Sequence, residues 1–388
     1  MIAALILCPF VGQGQRYDWL VHPDAPATIS GNKGIAVDAD GNSFLAFSFE
    51  GVVEVDGFVL PVLGGAREVA VTKIDPQGNV LWSATLGTIS NDAFHDIAVD
   101  GTGAVYVSVL ASAAITITAD STYTGTSPYQ VIRLGPDGSF RSAASFPSFV
   151  NIDAVRNEVY MSFGTTVQRT DTLLAVDWSH DSGGSPAFIE GGDDHGAVSA
   201  RGGRVAFSGF DATAASPTLA GLTLPGNGVP DDQSVVYVLD TAGIPLWGFI
   251  SDGTNNILEE VRDVGLDDVG GLYLGIQASQ GTFQFAGATA VNSNANPNLC
   301  VLARIDPQGA EQWATRFEPT ALGGVDALAV TEAGNAAFMG PAVIGGNIGN
   351  LSLGPGERFY VAMVDAAGTP LWLKSGPGFP AMNSDLAA

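Results

Sequence analysis

Four histidines, two cysteines and 40 acidic side chains are the groups of this 388-residue chain with obvious chemical potential. The histidines, His22, His95, His180 and His195, do not cluster in sequence. His180-Asp181 and Asp193-Asp194-His195 flank a glycine-rich stretch, 183–192, and form the densest set of metal-binding or acid–base groups. Their spacing matches no metal-ligand pattern, so a solvated polar loop is the preferred reading. Asp38-Ala39-Asp40-Gly41-Asn42 has the oxygen content of a calcium loop but lacks further ligands and a closing Glu. It reads as a turn between strands, with Ca2+ as the alternative and no other cofactor implied. Asp231-Asp232, Glu259-Glu260 and Asp263 read as exposed loop charges. Cys8 and Cys300 have no zinc spacing, and Cys300 reads as a small apolar strand residue. There is no Gly-x-Ser-x-Gly elbow. Paired carboxylates could hydrolyse glycosides if held about 5–9 Å apart, but the spacing singles out no pair. No catalytic, cofactor-binding or metal-binding residue is therefore nominated.

The elements that would position such groups are repeats. Val71-Thr-Lys-Ile-Asp75-Pro-Gln-Gly78-Asn-Val-Leu-Trp82 returns as Leu302-Ala-Arg-Ile-Asp306-Pro-Gln-Gly309-Ala-Glu-Gln-Trp313. Asp240, Gly243 and Trp247 keep the frame, as do Asp365, Gly368 and Trp372. Asp171 and Trp178 keep the spacing without the glycine, and Gly138 has Ser142 where Trp is expected. Alternating apolar residues before the Asp predict a half-buried strand. Asp accepts backbone N–H groups, Pro fixes φ and Gly supplies positive φ, so the segment predicts a hairpin with a Trp on its return strand.

A second hairpin alternates with the first: Ile35-Ala-Val-Asp38, Ile97-Ala-Val-Asp100, Val264-Gly-Leu-Asp267 and Leu328-Ala-Val-Thr331, each followed by glycine and a strand. Shorter copies lie at 152–160 and 197–207. Two hairpins make a four-stranded antiparallel sheet recurring about every sixty residues, as propeller blades do. The expected fold is all-β, a β-propeller of six four-stranded blades, with seven as the alternative. Tyr17-Asp18-Trp19 either completes the sheet at the chain's end or starts an incomplete seventh blade. The repeat at 151–182 is short, so a missing strand or a distorted blade is expected there. No 3.6-residue apolar period predicts helix.

Composition agrees. Fifty glycines suit many turns, and 46% apolar residues allow a sizeable core. The net charge of −25 repels nucleic-acid phosphates and anionic membranes, leaving a protein or carbohydrate ligand as the expected partner. Residues 1–15 read as a signal-peptide-like segment, apolar to Gly12 but with no Lys or Arg before Arg16. That run is too short for a transmembrane span, and no other segment offers one. Residues 16–376 would be the propeller and 377–388 a short tail.

The Ile-Ala-Val-Asp…Gly-Asn and Lys-Ile-Asp-Pro-Gln-Gly…Leu-Trp hairpins resemble the SBBP repeats of exported and surface β-propeller proteins from Bacteroidota and other bacteria. The resemblance covers nearly the whole of 16–376 and describes a blade, not an activity. A weaker similarity is to PQQ-type propeller repeats, whose enzymes hold the quinone under adjacent cysteines, a pair this chain lacks. The resemblance implies a secreted or cell-surface protein that mediates binding, adhesion or assembly without catalysis. Variable segments 111–129, 211–232 and 286–298 would present the binding surface. The alternative is an extracellular hydrolase or lyase acting on polysaccharide through the central funnel.

Overall fold

The turns form as their residues dictate. The computed structural model describes residues 23–24, 28–55, 57–64, 67–111, 114–117, 121–188, 197–211, 216–226, 233–253, 259–278, 281–285, 288–292, 299–319, 325–341, 346–348, 351–353, 359–376 and 386. In it the carbonyl of Asp75 accepts the Gly78 amide at 2.9 Å. Asp75 Oδ1 accepts the amides of Gln77 and Asn79 at 2.9 and 2.8 Å. Gly78 has a φ of 90°, which only glycine adopts freely, and the register shifts between Lys73 and Ile74 to absorb the extra residue. Asp240, Asp306 and Asp365 bond in the same way. So do Asp38, Asp100 and Asp267 of the alternate hairpins. One turn design thus closes both hairpins of a repeat.

The described residues are all strand, turn and irregular chain, with no helix. The first four-stranded set is Thr28–Val37, Ser43–Glu50, Glu68–Ile74 and Val80–Gly87. The second is Ala93–Val99, Val105–Leu110, Tyr129–Leu134 and Phe140–Phe146. The short repeat keeps all four strands, Asn151–Val155, Glu158–Phe163, Thr166–Asp171 and Val176–Asp181. It is short because a two-residue turn, Gly164-Thr165, joins its middle strands without an insert. Next come Val198–Arg201, Arg204–Asp211, Gln233–Asp240 and Pro245–Ile250. Glu259–Leu266, Leu272–Ala278, Leu299–Ile305 and Glu311–Pro319 follow. Ala327–Val330, Ala336–Pro341, Phe359–Val364 and Pro370–Gly376 form the last set.

The chain divides into two compact units, residues 1–159 with 172–174 and 387–388, and residues 160–171 with 175–386. In the first, Phe44, Val71, Leu86, Val107 and Ile132 belong to one core built from both sheets. In the second, Val236, Leu274 and Val301 share one cluster, and Tyr273, Phe338 and Ala362 another.

Four tryptophans, Trp82, Trp178, Trp247 and Trp313, each reach from their own sheet to the turn of the next repeat. Trp82 Nε1 donates to the Pro136 carbonyl at 2.8 Å, and Trp178 to that of Thr241 at 3.1 Å. Trp247 donates to Pro307 at 3.0 Å, and Trp313 to Ala366 at 2.9 Å. The acceptor is always the second residue of the Asp-x-x-Gly turn or its Gly135 counterpart. The glycine of that same turn lies under the indole. A Cβ on Gly138, Gly243, Gly309 or Gly368 would stand 2.8, 2.8, 3.1 or 2.7 Å from Cδ2 of Trp82, Trp178, Trp247 or Trp313. The glycine therefore serves twice, for its positive φ and for the bare surface it gives the ring.

The two degenerate copies fall in successive repeats. Ser142 replaces the Trp, and the next turn, Asp171 to Ala175, has Leu174 at φ 68° in the glycine position. An indole addressed to that turn would meet a leucine side chain, so the two losses match. The Thr172 carbonyl, which a Trp would take, accepts the Tyr106 hydroxyl at 3.2 Å instead.

The variable segments carry short strands of their own. Ala114–Ile117 and Ser121–Thr124 form a hairpin that pairs with the outer strand of the preceding sheet, Ile117 opposite Leu86. Gly346–Ile348 and Leu351–Leu353 do the same on Glu311–Pro319. Gly281–Phe285 and Ala288–Asn292 build on Asp252–Gly253, while Thr218–Leu219 pairs with Leu222–Thr223. Covering an outer strand removes an open edge, which explains why strand pairing wins over a free loop. Pro23–Asp24 pairs likewise with Val55 and Glu54. Tyr17 to Trp19 lie outside the described residues.

Replacing Trp247 by Ala is expected to cost about 3 kcal/mol. Gly309→Ala should cost about 1–2 kcal/mol through its left-handed backbone. In urea unfolding, the glycine substitution should cost less once the indole is gone, a coupling of about 0.5–3 kcal/mol. Strict additivity would show that the ring does not rest on Gly309. Ser142→Trp alone should not stabilise, whereas Ser142→Trp with Leu174→Gly should exceed the sum of the single changes by a similar coupling.

Candidate functional site

The turn acids are occupied by structure. Asp38 Oδ1 accepts the amides of Asp40 and Asn42 and the Asn42 side chain, while Oδ2 takes Asn42 Nδ2 at 2.8 Å and Lys73 Nζ at 3.2 Å. Lys73 also lies 4.8 Å over the Phe44 ring, its cross-strand neighbour. Asp267, Arg304 and Tyr273 repeat this arrangement, with Arg304 Nη2 at 2.8 Å from Asp267 Oδ2 and its guanidinium 5.4 Å over the ring. These buried acid–cation–ring sets bind the two hairpins of a sheet together.

His180 and Asp181, adjacent in sequence, point to different work. His180 stacks on Trp178 at 5.3 Å, and its Nε2 meets the Gly243 carbonyl at 2.9 Å, extending the inter-repeat joint. Asp181 accepts from Thr165 Oγ1 at 2.8 Å and from the Gly183 amide, and those bonds hold its carboxyl below the usual range. Asp193, Asp194, His195, His22, Asp231 and Asp232 lie outside the described residues. Cys300 pairs through its backbone with Gln277. Among the described residues no group of three His, Cys, Asp or Glu side chains converges.

Two other groupings stand apart from the turn acids. In the first unit, Phe149 lies between His95 at 4.8 Å and Tyr129 at 4.9 Å, all three half-buried. His95 Nε2 bonds buried Asn151 Oδ1 at 3.0 Å, and Asp96 Oδ2 accepts the Ile152 amide at 2.6 Å. The strands of two repeats therefore fix one ring cluster with a polar margin. Tyr129 closes the first variable segment, but Phe149 lies in an irregular stretch with no pattern to mark it.

In the second unit, Glu260 Oε2 lies 2.5 Å from Arg262 Nε. Asp326 shares the field of that guanidinium. Burial nonetheless pushes the Asp326 carboxyl up to about 6, with Arg262 pulling the other way. A frame signal was available for these residues. Lys33, His95, Arg262 and Asp326 each stand five positions before the turn residue of an inner hairpin, Asp38, Asp100, Asp267 or Thr331. Glu260, read from sequence as an exposed loop charge, is buried, because it sits inside the Glu259–Leu266 strand.

No protein-family model matches this chain, and no curated protein matches it. The function must be read from the groups themselves.

Asp326 supplies a pH test. An acid whose folded-state value exceeds its unfolded value binds its proton more tightly when folded, so stability falls as pH rises from about 4 to about 6. Asp326→Asn should therefore raise the melting temperature relative to the parent more at pH 7.5 than at pH 4. An equal effect at both would show that Asp326 ionises normally.

Proposed function

We propose that this chain is a secreted or cell-surface β-propeller that binds a protein or carbohydrate ligand in adhesion or assembly, without turnover. Regular Asp/Gly/Trp joints between successive repeats support the ring reading, with the four-stranded sheets as six blades. The pairing of Pro23–Asp24 with Val55 and Glu54 favours the seven-position alternative. It repeats what Leu86 and Gly87 do with the next hairpin, and so gives the N-terminal strand the role of an outer strand before the first sheet. The similarity to SBBP repeats and the apolar start support export.

The observation that carries the binding reading is the half-exposed trio of Tyr129, Phe149 and His95 beside Asn151. Rigid aromatic faces with an adjacent amide are the groups enriched at recognition surfaces. The turn acids and His180 are committed to the fold. A specific observation also favours the second reading, a polysaccharide hydrolase or lyase. Asp326, near 6 beside Arg262, has the proton affinity a general acid needs at neutral pH.

The test is binding of the whole chain to an oligosaccharide panel and to immobilised surface proteins, with and without calcium. Phe149→Ala should weaken the bound partner by at least about tenfold, the loss of roughly one anchor residue, while the melting temperature stays near the parent's. Undiminished binding would remove the trio from the site. Release of reducing ends that stops in Asp326→Asn would replace the binding reading by the enzymatic one.

A further inference from the structure

We propose that the second unit holds a calcium ion between the strands Arg204–Asp211 and Gln233–Asp240, bound by Asp211, Gln233 and Ser185. The proposal is independent of the ligand-binding reading above. Asp211 and Gln233 are direct partners in the antiparallel register, so their side chains leave the same face with Cβ atoms about 5 Å apart. Both are 1% exposed. Ser185 donates its hydroxyl to Asp211 Oδ1 from the segment that pairs with this strand at Phe210. That segment is fixed by reciprocal backbone bonds between Ala187 and Phe210 at 2.9 and 2.7 Å. Gly209 makes the approach possible, since a Cβ there would stand 2.6 Å from the Ala187 carbonyl.

The independent sign of a ligand is Gln233. Neither its Oε1 nor its Nε2 has a hydrogen-bond partner, although the side chain is wholly enclosed. Leaving a buried amide unsatisfied costs about 1–3 kcal/mol, and sequences rarely keep one without a use. Two pleats along the same face, Tyr237 is fully buried, and its hydroxyl also has no partner. The Asp211 charge adds to burial in raising the Tyr237 phenol, so the carboxylate lies within electrostatic reach of it.

Carboxylate, amide carbonyl and hydroxyl are hard oxygen donors, the set that calcium takes in flexible geometry. Magnesium needs a tighter octahedron and keeps its own water. With one carboxylate the site belongs in the weak class, with a Kd of order 10⁻⁴–10⁻³ M. Such a site fills only where calcium is abundant, as outside cells.

The test is calorimetric titration of the chelator-treated whole chain with calcium chloride, with the melting temperature followed in parallel. One weak site and a rise in melting temperature are expected, with magnesium about tenfold less effective. Gln233→Leu should remove both effects. Gln233→Glu should melt lower than the parent without calcium, because it buries a second carboxylate beside Asp211. It should recover with calcium and bind it about tenfold more tightly, since ligand charge tunes affinity. The Glu variant alone decides the matter if the Leu variant does not fold. No calcium effect, an effect unchanged in Gln233→Leu, or a Glu variant that calcium does not rescue would each overturn the proposal.

Discussion

One contact organises the repeats: an indole lying on the bare glycine of the next turn and donating to the carbonyl two residues earlier. The hydrogen bond is worth about 1 kcal/mol net, less than what covering an aromatic face contributes. Packing therefore supplies most of the stability, and the bond supplies direction. It works only if the acceptor carbonyl is held still. The Asp Oδ1 bonds and the bulge do that, which is why Asp, Gly and Trp travel together. Where Trp becomes Ser142, the glycine position becomes Leu174 and Tyr106 takes the carbonyl. Tyr106 shares its one hydroxyl proton with Asp100 Oδ2 at 3.0 Å, while the buried Ser142 hydroxyl is left without a hydrogen-bond partner.

The hairpins were legible in sequence because every determinant of a turn lies within four residues. The joints were not, because Trp82 and the Pro136 carbonyl are 54 positions apart, and Trp178 and Thr241 are 63. Recurrence announced that the tryptophans were equivalent without saying what they touch. The strands within the inserts were not legible for a related reason. Strands of four residues, such as Ala114–Ile117, are too short to show alternation, and their partner belongs to the previous repeat.

The candidate sites lie where the frame stops constraining the residue. A change at Asp306, Gly309 or Trp247 breaks a joint, so those positions have little freedom to acquire another role. Phe149, Gln233 and Ser185 answer to no repeat position, and nothing local in sequence marks them. Gln233 meets Asp211 only through strand register across an intervening insert. Density of polar residues was a poor guide, since His180 serves a joint and Asp181 a turn.

Two aspartates of the second unit show how environment separates structural acids from reactive ones. Asp267 Oδ1 accepts the Val269 and Gly271 amides, and Oδ2 accepts Arg304. Its burial is compensated bond by bond. Asp326 shares the field of Arg262, but Glu260 already lies against that guanidinium at 2.5 Å. An arginine divided between two acids cannot offset the desolvation of both. Burial then outweighs attraction, and the Asp326 carboxyl rises to about 6. An acid in that position can hold or release a proton near neutrality, whereas the carboxylate oxygens of Asp267 are taken up by the turn and by Arg304.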